Sequence, residues 1–285
     1  MKYVLSPERI REAEKTTIEE IGISEEALIE KAAGEIVKCI GDFYPSAVKI
    51  LVVAGGGNNG ADGLSAARML IYKGYLVDVL LHFSKQSPAN LFLLNGLRAA
   101  GRLSKGKVTF VDAISKEYDL IIDSLFGIGL NRELSKDDID FIKRINSLNI
   151  PIISADIPSG LNASTGLPMP VCINSDTTIC FGAYKTGMFN GQGPNYYKRL
   201  LQGDIELWYE EKASDSKMLE KEDIFNIFSD SIATAHKGTY GKALIIAGSK
   251  EIYGAAYLCA KAAFYSGAGM VKVITHACNR SDFLQ

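Results

Sequence analysis

The stretch VKILVVAGGGNNGADG, residues 48–63, decides how the rest of this chain is read. Ile50 to Ala54 form an unbroken apolar run that suits a strand buried on both faces, and the glycines that follow end it at once. Gly55, Gly57 and Gly60 satisfy G-x-G-x-x-G between this strand and a helix, with Asp78 at about the distance expected of a ribose-binding acid. That match alone is weak. Asn58, Asn59 and Asp62 add hydrogen-bonding side chains that a hydride-transferring dehydrogenase does not usually need there, so the loop reads a ligand with side chains as well as backbone. The plainer alternative is a turn whose Asn and Gly merely supply positive φ angles.

Working outward, residues 6–21 and 24–40 carry apolar positions at helical spacing, with Ser6-Pro7 and Ser24-Glu25 as helix starts, so two helices are expected before the first strand. Downstream, the runs YLVDVLL, YDLIID, IPIISA and TTICFG alternate with helical stretches and Gly-rich turns. Such alternation predicts a three-layer α/β/α, Rossmann-like domain with a mostly parallel sheet. Ligands of such sheets bind at the carboxyl ends of strands, which points to three loops at 55–63, 123–133 and 156–166. The polar segment 210–223 reads as the start of a linker, giving a first domain over 1–210, a linker over 211–234 and a second segment over 235–285. That segment opens with HKGTYGKALIIAGS, a strand into a Gly-Ser turn, then a small-residue helix and the strand MVKVIT.

Composition excludes more than it specifies. Thirty-one basic residues nearly balance 33 acidic ones, so neither nucleic acid nor a membrane surface is expected as partner. Five cysteines without a C-x-x-C pair suggest neither a zinc knuckle nor a disulfide framework and fit a reducing, cytoplasmic setting. No apolar run reaches the roughly 18 residues of a membrane span, and residues 1–30 lack the apolar core of a signal peptide.

Asp123 ends an apolar run and should face the crevice, and the following Gly127-Ile128-Gly129-Leu130-Asn131-Arg132-Glu133 combines flexible glycines with a guanidinium suited to a phosphate. The plainer alternative makes Arg132 and Glu133 a solvated surface pair. Asp156, before Ile157-Pro158-Ser159-Gly160, is the first choice for general acid/base, although such an Asp often only caps the next turn. Asn59, Asp123 and Ser159 form an all-oxygen set with a single carboxylate, which suits a monovalent ion such as potassium better than a divalent one.

Together, G57-N-N-G-A-D-G63, D123-S-L-F-G-I-G-L130 and D156-I-P-S-G-L161 resemble, in order, the loops of the N-terminal domain of bifunctional NAD(P)H-hydrate repair enzymes. Phe181-Gly182-Ala183-Tyr184-Lys185 and Gly203-Asp204-Ile205 resemble that family's closing strands, so the similarity covers about residues 1–210. The resemblance implies interconversion of the R and S epimers of hydrated NADH and NADPH (NADHX, NADPHX), and a homodimer as one expected assembly. It carries substrate contacts onto Asn58, Asn59, Gly60, Ala61 and Asp62, onto Gly127, Ile128, Gly129, Leu130, Asn131, Arg132 and Glu133, and onto Asp156. One potassium ion per domain would fall to Asn59, Asp123 and Ser159. Ala61 replaces a glycine usual in the family, so that position should not require positive φ. The segment from about Ala235, with His236-Lys237-Gly238, Ala247-Gly248-Ser249 and Ser266-Gly267-Ala268-Gly269, resembles the start of the ribokinase-like dehydratase domain. That domain's late Gly-rich stretch and catalytic Asp lie outside this sequence, so dehydration is not expected of it, nor a self-sufficient core for the segment.

Two rivals give different outcomes. An NAD-linked dehydrogenase would transfer hydride from unmodified NADH. A binding scaffold of the kind related to RNA decapping would have lost the loop acids, whereas Asp62, Asp123 and Asp156 are present.

Overall fold

The computed structural model describes residues 1–83, 85–130, 132–210, 216–225 and 234–283, and divides the chain into two compact units, residues 1–220 and 221–285. The first opens with β1 (Lys2–Leu5), followed by α1 (Pro7–Glu19) and α2 (Glu25–Phe43). Sequence periodicity places both helices before any strand; β1 escapes it because a run of four residues, Lys2 to Leu5, is too short to carry a periodic signal. Ser6 and Ser24 cap the two helices by accepting hydrogen bonds from Arg9 N–H and Ala27 N–H.

A seven-stranded sheet follows. It is built from β2 (Lys49–Ala54), β3 (Leu76–Leu81), β4 (Lys107–Phe110), β5 (Leu120–Ser124), β6 (Ile152–Ala155) and β7 (Ser175–Phe181). The two-residue β8 (Tyr184–Lys185) leaves the sheet, and β9 (Tyr197–Gly203) closes it. The order is β4-β3-β2-β5-β6-β7-β9, and each adjacent pair is parallel. The chain therefore runs outward from β2 to β4, returns to the centre at β5 and proceeds the other way, so the crevice of the fold lies where β2 and β5 end.

Strand alternation supplies the two cores. Ile50, Val52 and Ala54 pack with α2, α3 (Asn58–Tyr72) and α4 (Pro88–Leu103), while Leu51 and Val53 pack with α5 (Lys136–Asn146) on the opposite face. The result is a three-layer α/β/α, Rossmann-like unit. Gly63 lets α3 sit close to the sheet: a Cβ there would meet Ser124 Oγ at 2.0 Å.

A smaller sheet places β1 between β8, parallel to it, and β10 (Ser216–Met218), antiparallel. This corrects the expected linker over 211–234, because Ser216–Met218 pairs with β1 and belongs to the first unit. The second unit holds α6 (Lys221–Phe225), the parallel pair β11 (Lys242–Ile246) and β12 (Met270–Ile274), and α7 (Gly254–Tyr265). Among its described residues Ala256 is the only buried hydrophobic one, and Ile246, Leu258 and Phe264 stay exposed.

Candidate active site

A cavity of about 910 Å³ opens over the ends of β2 and β5. Its floor begins with the quoted stretch, but Asn58 to Gly63 are not a loop: they form the first turns of α3, and Gly57 has an extended backbone. The positive-φ reading of these Asn residues therefore falls, and Ala61 is helical as its side chain requires. Of α1 to α5, four begin with a serine cap and α3 alone has no side-chain cap, so its first N–H groups are left for something else. Asn58 and Asn59 line the cavity, with Asp62 one turn on; Gly60 and Ala61 are buried beneath them and do not line it. A Cβ at Gly60 would meet Gly55 O at 2.1 Å, so its part is to let the helix start against the turn.

Near the end of β5, Asp123 is fully buried and does not line the cavity. Its carboxylate accepts from Ser159 Oγ at 2.5 Å, Ser159 N at 2.9 Å, Ser154 Oγ at 2.8 Å and Leu125 N at 3.3 Å. Ser159 Oγ in turn accepts from Phe126 N at 2.8 Å, which stitches the loops after β5 and β6 together. Burial pushes the Asp123 carboxyl up, and these four donors do not cancel the effect. Asn59 reaches the same region: a Cβ at Gly127 would lie 3.2 Å from Asn59 Cβ. Both polar atoms of its side-chain amide are buried without a hydrogen-bond partner, so a donor and an acceptor oxygen stand unsatisfied there. Among the described residues no cluster of three His, Cys, Asp or Glu offers a site for a softer metal.

Gly127, Ile128, Gly129, Leu130 and Arg132 line the cavity, Asn131 lies outside the described residues, and Glu133 is exposed and does not line it. Arg132 is not paired with the Glu133 carboxylate. Its guanidinium donates to Glu133 O at 2.9 Å and to Asp138 Oδ2 at 3.1 Å, and stacks over Phe126 at 5.6 Å.

Asp156 lines the cavity from the end of β6 with φ of 66°, a left-handed conformation uncommon outside glycine and associated with functional positions. It does not cap the next turn with its side chain. Oδ1 forms an ion pair with Lys185 Nζ and accepts from Phe181 N at 3.2 Å. Lys185 is wholly buried and also donates to Phe181 O at 2.9 Å. Burial pulls its ammonium down, but Asp156, Cys180 and Glu14 outweigh that and hold it above the ordinary value.

Sequence reasoning named Lys185 only within a closing-strand motif and gave no site role to it, to Glu14 or to Arg11. Lys185 had a usable signal, being the lone charge closing the run TTICFGAYK. Glu14 and Arg11 had none, since charges flanking the apolar stripe of α1 read as a solvated face. Both line the cavity, and Arg11 Nη2 donates to Ile128 O at 3.1 Å. Asp62 is driven well above the usual carboxylate range, by burial first and then by the charges of Asp156 and Glu14.

This combination defines a parallel α/β unit with a cavity at the switch point of its sheet, ringed by ionisable side chains. The chain belongs to the family described as YjeF-related protein N-terminus, whose model matches residues 25–187, while residues 243–284 match the model described as NAD(P)H-hydrate dehydratase. It is 35% identical over 208 residues to the NAD(P)H-hydrate epimerase of Limosilactobacillus fermentum, covering 71% of this chain and 97% of that protein. It is 31% identical over 280 residues to the bifunctional NAD(P)H-hydrate repair enzyme Nnr of Escherichia coli, covering 96% of this chain and 54% of that one. The chain thus spans about half the length of its bifunctional relatives. The crystal structure of yeast YNL200c matches with a TM-score of 0.59 at 23% identity, over 69% of this chain and 87% of that one, a likeness of fold.

Proposed function

We propose that the first unit interconverts the R and S epimers of hydrated NADH and NADPH. The observation that carries this reading is one cavity at the switch point that joins an uncapped helix start to the buried Asp156–Lys185 pair. The free N–H groups of α3, with Arg132 and Lys85 at the wall, suit the phosphates of a dinucleotide. In the hydrate a hydroxyl sits on a ring carbon next to nitrogen. Nitrogen can expel it as water to form an iminium, and water can then return to either face. Asp156 is the proton-transfer group at that carbon, and its anionic form, held by Lys185, also favours the cation that forms.

Potassium belongs to the same reading, held by Asn59, Asp123 and Ser159. The unsatisfied Asn59 oxygen and the single buried carboxylate of Asp123 support it. When bound, the ion supplies a positive charge that offsets Asp123 and stiffens the floor. A cytoplasmic setting fits five cysteines that all stand unpaired and described helices none of which is long and apolar enough to cross a membrane.

The test supplies pure R-NADHX, with potassium or with tetramethylammonium in its place, and follows the S epimer by chromatography. Rapid formation of S-NADHX that slows without potassium is expected. Conversion no faster than in buffer overturns the epimerase reading, and hydride transfer from unmodified NADH would favour a dehydrogenase.

A further inference from the structure

Epimerisation through an iminium makes a demand that one fixed carboxylate does not meet. Water leaves one face of the ring and returns on the other, and each event moves a proton at an oxygen on its own face. Asp156 is tied to Lys185 and Phe181 N–H, so it is not free to swing from one face to the other.

The cavity wall holds another acid. Glu14 comes from α1, an element separate from the strand loops, and borders the same space as Asp62, Asp156 and Lys185. Its helix is anchored by buried Ile10 and Ala13 and by the Arg11 hydrogen bond to Ile128 O, so Glu14 is presented from a fixed wall. Among the described residues, no hydrogen bond or ion pair engages its carboxylate in the way Lys185 engages Asp156.

Resting on the epimerase reading, we infer that Glu14 is a second proton-transfer residue, serving the ring face opposite the one served by Asp156. The Glu14 carboxyl gives its proton to the hydroxyl on its side. The C–O bond breaks with both electrons leaving on water, and the nitrogen lone pair forms the C=N bond. Water then adds from the other face, the π electrons return to nitrogen, and the surplus proton passes to Asp156. The reverse reaction uses the two acids in exchanged roles, and solvent restores their starting states. The charged groups facing Glu14 are Arg11 on α1, Glu25 on α2, Asp62 on α3, Asp156 after β6 and Lys185 on β8. Burial first, then the charge of Asp156, pushes its carboxyl up to about 7 against the pull of Lys185 and Arg11. At neutral pH it therefore exists in both forms, as a group that must give and take protons requires.

The experiment follows each pure epimer in oxygen-18 water with wild type and with Glu14→Gln. Wild type should take up solvent oxygen with inversion. In the variant, inversion should fall by about a hundredfold or more, while the epimer whose hydroxyl faces Asp156 still exchanges its oxygen with retention. The limb near pH 7 in kcat/KM should vanish as well. Inversion within about threefold of wild type, or exchange and inversion falling in the same ratio, would overturn the assignment. Carbon-13 carboxyl resonances of wild type give a check that does not depend on the variant: a Glu14 titration near neutrality supports the role, and one in the ordinary glutamate range refutes it. A wild type that inverts neither epimer sinks the epimerase reading together with this one, whereas an active wild type with an unaffected variant sinks Glu14 alone.

Discussion

Asp156 joins a left-handed backbone to a buried ion pair, so its chemistry and its contribution to stability are coupled. Asp156→Asn leaves the Lys185 ammonium buried without its counter-charge. The expected cost is about 3 kcal/mol by urea unfolding, with part recovered in the double variant Asp156→Asn, Lys185→Met, where neither charge remains. Epimerisation by the single variant should fall by about a hundredfold or more. A double variant that regains stability but not activity would separate the two effects. Asp156 was legible from the strand end and the turn after it, but its partner was not, because 29 residues separate them and only the third dimension joins them.

At the scale of elements, helix starts were the most legible feature, since Ser6 and Ser24 cap as their sequence context indicates. The four-residue strands β1 and β4 were invisible to periodicity, and the Asn-rich stretch looked like a loop because its glycines masked a helix beginning at Asn58. The start of α5 carries a capping box in which Ser135 and Asp138 bond reciprocally, and Asp138 also receives His82 at 2.8 Å and Arg132. Burial acts to raise its carboxyl, but His82, Ser135 and Arg132 outweigh burial and hold it below the ordinary 3.8. A depressed carboxylate contributes stability above its unfolded pKa and loses it as pH falls through the folded one. Asp138→Asn should therefore cost about 1–3 kcal/mol at pH 7, and the gap should begin to narrow in unfolding curves as pH falls below about 4, where the unfolded carboxyl takes up its proton, and close only once pH has passed below the lower value of the folded protein. A gap that persists in acid would show that packing, not charge, carries the effect.

Taken as a whole molecule, the first unit assembles its cavity from α1, α2, the start of α3, and segments at or after the ends of β3, β5, β6, β7 and β9, with Lys185 from β8. The three segments were legible in place because each follows a strand end, where a parallel sheet must place its chemistry, although the first is the start of α3 and only Asp156 of the third lines the cavity. The contribution of α1 was not, because nothing in its own residues says that the helix closes back over the sheet's rim. What brings it there is the small sheet, in which Leu5 pairs with Lys185 one step before α1 begins. On the proposed scheme with two acids, the first five residues, which expression practice often treats as a disposable handle for tags and trimmed start sites, act as a spacer gauge between Glu14 and Asp156. Deleting them should leave the seven-stranded sheet folded by circular dichroism yet lower kcat by about tenfold or more, as misplacement of reacting groups does. Full activity after trimming would show that α1 finds its place without that guide.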